Sequence, residues 1–444
     1  MSSNSVKTDW ILGINVAGHG ASICLLHRGT ICFFLKEERV SGVKRDFTMP
    51  MVSLAEVKKY TKHLDWVVFS NTDISDQEIC RISLKKHKIP VSNYFDDNPF
   101  GCDFIDEKDI YAAKAAGEDP LPLVIRNKLS THHINHAASG YYLSPFDEAT
   151  CVVMDGWGHV GDLVPLMQDD FYDGQDLEFG HRLYEHVTVF SKIRDDDNWD
   201  NQWKLLYKEV STDAFRASEY EDILHSWSDI EDAVTDLYKT RLGFTNIRLA
   251  SSISAGVMYE SITGYLGFRV ENVGKTMGMA PYGKEDDNLP PFHVGPYYDS
   301  NANLFHPSLL LNDIPYPQLK KYRHDFDKRV NLAYAVQKAL EKKVIFVIEK
   351  AMKLNDCKNI VLGGGIFHNI MVNGMLVEKY PDYNFFADPL CDDSGHSYGI
   401  SKLLYDELSG EHIKDNYDNV YFGPHYRVEK LENRIRKQIK KLTQ

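Results

Sequence analysis

The sequence predicts an α/β protein of two lobes built by duplication, and three observations carry that prediction. Residues 11–16 read as a short apolar strand, followed by Ala17-Gly18-His19-Gly20, a strand over 21–27, a tight turn at Arg28-Gly29 and a third strand over 30–35. The same order recurs from residue 150. A strand over 150–154 leads into Asp155-Gly156-Trp157-Gly158-His159-Val160-Gly161, then a strand over 162–167 and, past a Gly- and Asp-rich turn, one over 177–186. Short glycine-rich hairpins are common in unrelated proteins, so a third observation tips the balance. A buried-type strand over 358–362 runs into Gly363-Gly364-Gly365 and a helix over 366–380, with apolar residues at Ile366, Ile370, Met371, Met375 and Leu376.

A chain of 444 residues, 43% hydrophobic and 26% charged, has the composition of a globular protein with ample core for two lobes. The net charge of −14 argues against broad binding to nucleic-acid phosphates, while leaving room for a local basic groove. The run Lys85-Lys86-His87-Lys88 reads as a solvated face. Seven scattered cysteines, with no Cys-x-x-Cys pair, read as reduced thiols and not as a disulfide framework or zinc ribbon. No apolar run approaches the roughly 20 residues of a membrane span, and the first nine residues lack the apolar core of a signal peptide. A cytoplasmic location without membrane contact is the expectation.

Each glycine turn has a chemical reading. Without a Cβ, backbone N–H groups can approach an anion, and one such loop per lobe is how proteins of the actin–hexokinase type, with duplicated RNase H-like lobes, hold phosphates. The strand, triple glycine and helix start at 363–366 form a phosphate seat by the helix-dipole argument. Neither the Gly-x-Gly-x-x-Gly fingerprint nor a Walker loop is present. Between the first two strand sets, Thr131-His132-His133-Ile134-Asn135-His136-Ala137-Ala138-Ser139 reads as a helix with His132 and His136 on one face, a spacing that can chelate a metal. Chance alone supplies about 0.7 such pairs among 18 histidines, so the spacing by itself proves nothing.

Residues 168–246 read as a mainly helical insertion. Ser254-Ala255-Gly256 opens a helix. The block Gly274-Lys275-Thr276-Met277-Gly278-Met279-Ala280-Pro281-Tyr282-Gly283-Lys284 offers Lys275 as a phosphate contact and Pro281 with Gly283 as a turn. In Cys391-Asp392-Asp393-Ser394-Gly395, either aspartate is a metal ligand or a helix cap. A helix over 397–407 follows. Residues 430–444 form a basic amphipathic helix that reads as docked on the surface. The lobes are expected over 1–148 and 149–418, with 419–444 as a tail.

Taken together, the blocks resemble the nodulation-type O-carbamoyltransferase family, whose relatives include antibiotic carbamoyltransferases and the threonylcarbamoyl transferases of tRNA. Matching segments run in order: Ile11-Leu12-Gly13-Ile14 with His19 and Ser22, Glu37-Glu38-Arg39, Lys44 to Asp46, the histidine segment, Tyr141, Ser144-Pro145-Phe146, Asp155-Gly156, the 274–283 block, Gly364-Gly365 to Asn369, and Asp393-Ser394-Gly395. The resemblance implies a metal held by His132, His136 and Asp393, with iron favoured and zinc or magnesium as alternatives. It further implies an adenylate between the lobes near Gly364, Gly365 and Asn369. The implied reaction makes carbamoyl adenylate from carbamoyl phosphate and ATP, then passes the carbamoyl group to an acceptor hydroxyl. That acceptor is a sugar-like or antibiotic-like molecule, or a hydroxymethylpyrimidine in a nucleotide or DNA.

His19 and Asp155, at the tips of the two glycine loops, are the candidates for the base that takes the hydroxyl proton. Scaffolding of those loops is the competing role for each. Two departures bear on the substrate. His19-Gly20-Ala21-Ser22 stands where the family usually has His-Asp-Ser-Ala, which removes a carboxylate near the acceptor. Asn419-Val420-Tyr421-Phe422-Gly423-Pro424 resembles the entry to a YrdC-like activating domain, with three readings open: that domain is a separate partner chain, the product is truncated, or the intermediate comes from elsewhere. Two other readings stay open: a sugar-kinase-like ATPase, and a non-catalytic nucleotide-binding subunit of a modification complex.

Overall fold

The computed structural model describes residues 8–16, 20–46, 48–70, 74–95, 132–162, 182–193, 203–212, 246–249, 254–289, 322, 324–415, 421–424 and 436. The first sheet starts as an antiparallel meander of β1 (Trp10–Asn15), β2 (Ser22–His27) and β3 (Thr30–Lys36). β4 (Leu64–Ser70) and β5 (Val91–Phe95) then add in parallel on the other side of β1, giving the order β3-β2-β1-β4-β5.

The second sheet repeats this plan. β6 (Ala149–Asp162), β7 (Arg182–Lys192) and β8 (Trp203–Thr212) form the meander, and β10 (Asn359–Gly363) and β11 (Asn384–Ala387) lie parallel beyond β6. A short β9 (Ile247–Leu249) adds beside β8. The order β11-β10-β6-β7-β8-β9 is that of the first sheet with one strand appended. The duplication expected from the glycine turns is therefore present in the topology of both sheets.

Both faces of each sheet are covered, which is why their strands read as near-continuous apolar runs. Period-two alternation sorts the side chains. Leu12, Ile14, Val67 and Phe69 face a cluster with α2 (Met51–Val57) and α3 (Ile74–Lys86), while Ile11, Cys24 and Val68 face the other way. On the second sheet Val152, Met154, Ile360 and Leu362 pack under α5 (Ala255–Tyr265), α7 (Phe326–Leu354) and α8 (Ile370–Lys379), and Cys151, Val153 and Val361 face inward. Between the sheets lie α4 (His132–Leu143) and α9 (His396–Ser409), sharing one apolar cluster with both.

Two glycines permit that central layer. A Cβ on Gly399 of α9 would fall 2.1 Å from the carbonyl oxygen of Asn135 on α4, and one on Gly13 of β1 would fall 2.0 Å from Ser401 Oγ. α9 packs against α4, β1, β2 and β4, so residues late in the chain complete the lobe that the first strands begin.

Several elements differ from expectation. The segment 155–161 is no loop between two strands. β6 runs through it to Asp162, and its glycines sit at register shifts against β7, between Met154 and Gly158 and between His159 and Gly161. Such bulges absorb extra residues without ending the ladder. The partner strand is Arg182–Lys192, not 177–186, and residues 163–181 lie outside the described ones. The helical reading of 168–246 fails for its described residues, which form β7 and β8; both continue the antiparallel pairing of β6.

The helix over 366–380 begins as a 3-10 turn, Gly365–His368, before α8 starts at Ile370 with Asn369 as its N-cap. The block 274–284 is α6 (Val273–Met279) followed by a 3-10 turn, Ala280–Tyr282, in which Pro281 fills an early position. Among the described residues no helix is long and apolar enough to cross a membrane, and Cys24, Cys32, Cys151, Cys357 and Cys391 are free thiols. The tail 430–444 lies outside them except for Arg436.

Candidate metal centre

Two helix starts bring the site together. α4 begins at His132 and is buried along its whole length, so His132 and His136, one turn apart, have no solvent to face. α9 is preceded by a 3-10 turn, Asp393–Gly395, whose first residue is buried. The sequence left two roles open for the Asp392-Asp393 pair, and the structure divides them. Asp392 Oδ1 accepts from Ser394 N at 3.1 Å and caps the turn, while its Oδ2 pairs with Lys36 Nζ at 2.5 Å. Asp393 turns inward to the histidines.

Asp155 follows Met154 on β6, where the bulge starts. Its Oδ2 lies 3.0 Å from His132 Nε2 and 3.7 Å from His136 Nε2. Asp393 Oδ1 lies 3.4 and 3.6 Å from the same two nitrogens. A fourth ring, His396 at the first position of α9, stands edge-on to both histidines, with centroids 4.3 Å from His132 and 4.2 Å from His136. Ligand atoms of His132, His136, Asp393 and His396 all lie within 4.8 Å of one another.

These groups cluster where the parallel pairing of β6 with β10 ends, at Val153 and Gly363, and beyond the carboxyl ends of β10 and β11, the place where parallel strands leave a crevice. Ser22 Oγ, at the start of β2, donates to Ser394 O at 2.7 Å, and Asn135 Nδ2 reaches Ser70 Oγ at the end of β4 at 3.2 Å. The site therefore lies where the two sheets approach each other.

Burial and charge act in opposition here. Burial favours neutral His132, but Asp393 and Asp155 outweigh it and push its pKa up to about 10. Burial likewise disfavours ionised Asp155 and Asp393, yet the histidines hold both carboxyls well below the usual range. His396 is driven well below the ordinary histidine value by burial and then by His136 and His132.

The residues present fit a divalent cation. Both ring nitrogens of His136 are buried without a hydrogen-bond partner, and its Nε2 faces two carboxylate oxygens. Atoms bound to one metal at about 2.1 Å lie roughly 3–3.5 Å apart, close to the separations found here. Imidazole with carboxylate is a donor set for iron, zinc or cobalt, whereas magnesium prefers oxygen alone.

A second polar layer supports α4 from behind. His133 N donates to Glu185 Oε2 at 2.9 Å, and its Nδ1 meets Thr188 Oγ1 at 2.7 Å. Glu185 also pairs with buried Lys208 of β8. Next to that pair, Lys343 of α7 holds Glu209 at 2.6 Å. A Cβ on Gly158 would lie 3.0 Å from the rings of His132 and His133, so the bulge glycine makes room for the histidines.

The other expected residues are placed as follows. The backbone N–H of Gly365 donates to Asp155 Oδ1 at 3.2 Å, so the glycine turn touches the centre through a carboxylate of the protein itself. Gly364 has φ +90 and passes so close to β6 that a Cβ would meet Met154 O at 2.4 Å. Asn369 caps α8 by accepting from Val372 N at 3.1 Å and donates to Gln337 Oε1 at 2.8 Å. Lys275 is exposed on α6 with Nζ 5.3 Å from the centre of the Phe268 ring, outside the cluster. His19 lies outside the described residues. Sequence reasoning missed His396, although Asp393-x-x-His396 has the i,i+3 spacing of metal-binding helices. It also missed the Glu185–Lys208 pair, which sits in a segment read as helical.

Comparison with known proteins bears on this arrangement. An uncharacterised protein of Synechocystis sp. is 21% identical over 96% of this chain and 62% of its own length. The nodulation protein NolNO of Sinorhizobium fredii is 27% identical over 39% of this chain and 26% of that protein. An uncharacterised protein of Methanocaldococcus jannaschii is 30% identical over 43% and 36%. The chain thus spans less than two thirds of the length of these relatives. The HypF structure of T. kodakarensis aligns with 91% of this chain and 49% of that one at 13% identity, with a TM-score of 0.45, too loose a likeness to argue from. Residues 10–401, which include the whole His132, His136, Asp393 and His396 cluster, match the family described as carbamoyltransferase N-terminus, and the chain belongs to that family.

Proposed function

We propose that this chain transfers a carbamoyl group from carbamoyl adenylate, made from carbamoyl phosphate and ATP with release of pyrophosphate and phosphate, to the hydroxyl of a sugar-like small molecule or a hydroxymethylpyrimidine, with AMP as the leaving group. The observation that carries the reading is the buried cluster of imidazoles and carboxylates where the two sheets meet, in a chain of the carbamoyltransferase family. His132, His136 and Asp393 would hold a divalent metal. Bound there, the metal supplies Lewis-acid polarisation of phosphate or carbonyl oxygen.

The chain's own residues do the rest. Asp155, tied to His132 and to the Gly365 amide, orients the ligand set and anchors the glycine turn beside it. Gly364, Gly365 and Asn369 line that turn as the proposed adenylate side, with Lys275 as an outlying phosphate contact. His19 accepts the hydroxyl proton, as an imidazole can near neutral pH. Asp155 is the alternative base, weakened in that role by the histidines that keep it ionised.

The test is mass spectrometry of an acceptor panel incubated with the chain, ATP and carbamoyl phosphate, with and without a YrdC-like domain. The expected product is an acceptor heavier by one carbamoyl group, formed with the wild-type chain and not with His136→Ala. Transfer to no acceptor under either condition, or undiminished transfer by His136→Ala, overturns the proposal.

A further inference from the structure

We infer that His396 is a ligand to the same metal as His132, His136 and Asp393, so that three imidazoles make the centre selective for borderline metals such as iron(II), cobalt(II) or zinc(II) over magnesium. The inference rests on the metal part of the proposed function and deepens it by naming the metal class.

Three observations support it. A ring nitrogen of His396 belongs to the set of ligand atoms that all lie within 4.8 Å of one another. The three rings are mutually edge-on, with centroids 4.2, 4.3 and 5.0 Å apart, so the imidazoles form one packed group. The backbone fixes this grouping from two sides. His132 and His136 sit one turn apart at the start of α4, and Asp393 and His396 sit three residues apart at the start of α9. The two helices pack closely at Gly399, where a Cβ would fall 2.1 Å from the Asn135 carbonyl oxygen.

A purely packing role is a poor account of the same residue. Any aromatic or aliphatic side chain fills volume without bringing two polar ring nitrogens into a fully buried place. His396 is 0% exposed, and the groups around it are themselves metal-ligand types: two imidazoles and the carboxylates of Asp155 and Asp393. Softer nitrogen donors shift preference from magnesium, which favours octahedral oxygen, towards the borderline transition metals.

The experiment uses the full chain, stripped of metal with a chelator and titrated with cobalt(II), zinc(II) and magnesium by calorimetry, with the visible spectrum of the cobalt form recorded. Wild type should bind cobalt and zinc near one equivalent and magnesium far more weakly. His396→Ala should bind cobalt at least ~10-fold more weakly, the lower end of losses seen even for groups outside the ligand set, with a changed visible spectrum. His396→Cys should bind cobalt with a new thiolate-to-cobalt charge-transfer band, which arises only if residue 396 touches the metal. That variant keeps the inference testable should the alanine variant fail to fold. Wild-type affinity and spectrum in His396→Ala, or a cysteine variant without the band, overturns the inference if His132→Ala has lost binding. Absence of cobalt binding by the wild type overturns the metal reading itself, and the inference with it.

Discussion

At the residue scale, the glycine turn and the histidines depend on one another through single atoms. Asp155 places one carboxylate oxygen on His132 and the other on the Gly365 amide, so a side chain on β6 connects the histidine cluster to the turn after β10. Gly364 is what brings that amide within reach. Its left-handed φ of +90 and the 2.4 Å approach of a would-be Cβ to Met154 O exclude any L side chain without local rearrangement. Gly364→Ala is expected to destabilise the protein by at least ~1–3 kcal/mol, read as a lower urea midpoint with an unchanged slope. An unchanged midpoint would mean that the turn is far more compliant than its contacts indicate. His132, His136 and Asp393 were legible in the sequence from spacing and resemblance. His396 was not, because nothing in one chain says that the start of α9 meets the start of α4.

At the element scale, the meander of β6, β7 and β8 does more than extend a sheet. It carries two buried ion pairs, Glu185 with Lys208 and Glu209 with Lys343, and through Glu185 it receives the first-turn N–H of His133. Removing one partner of a buried pair leaves an uncompensated charge, so Lys208→Met should destabilise by about 3–5 kcal/mol. Adding Glu185→Leu should recover part of this, with the His133 N–H left unsatisfied. The pair also sets an acid limit. Burial raises the Glu185 pKa, but Lys208 outweighs it and the carboxyl falls to about 2, below its ordinary value near 4.3. Between those values the unfolded chain binds more protons, so this stabilisation is complete above about pH 4.3 and is lost as pH falls towards about 2. Urea midpoints measured from about pH 6 down to 3 should fall more steeply for wild type than for the double variant; parallel curves would remove the pair from the account. The strand reading was lost in the sequence because charged residues at 185, 208 and 209 break the apolar alternation that marks a strand, and only their partners across the sheet explain them.

At the scale of the whole molecule, α4 and α9 share one apolar cluster with both sheets of the duplicated order, and the centre lies at the starts of these two helices. A metal bound by the histidines of α4 and by the start of α9 would tie together elements far apart in the chain. Ligand binding to the folded state alone stabilises it by mass action, about 2.7 kcal/mol at a hundredfold excess over the dissociation constant. Zinc or cobalt added to chelator-treated protein should therefore raise the melting temperature by several degrees, with no rise for His132→Ala. An equal rise in that variant would place the stabilising metal elsewhere. What the sequence by itself determined is the local order of strands and glycine turns, the i,i+4 histidine pair and the family to which these blocks belong. Those are properties of neighbouring residues, written in periodicity and in glycine positions. Only the tertiary structure decided that 155–161 continues a strand, that Asp392 caps while Asp393 turns inward, and that His396 joins the cluster. Each of those depends on contact between residues distant in the chain, through cross-strand register and helix packing that no local pattern encodes.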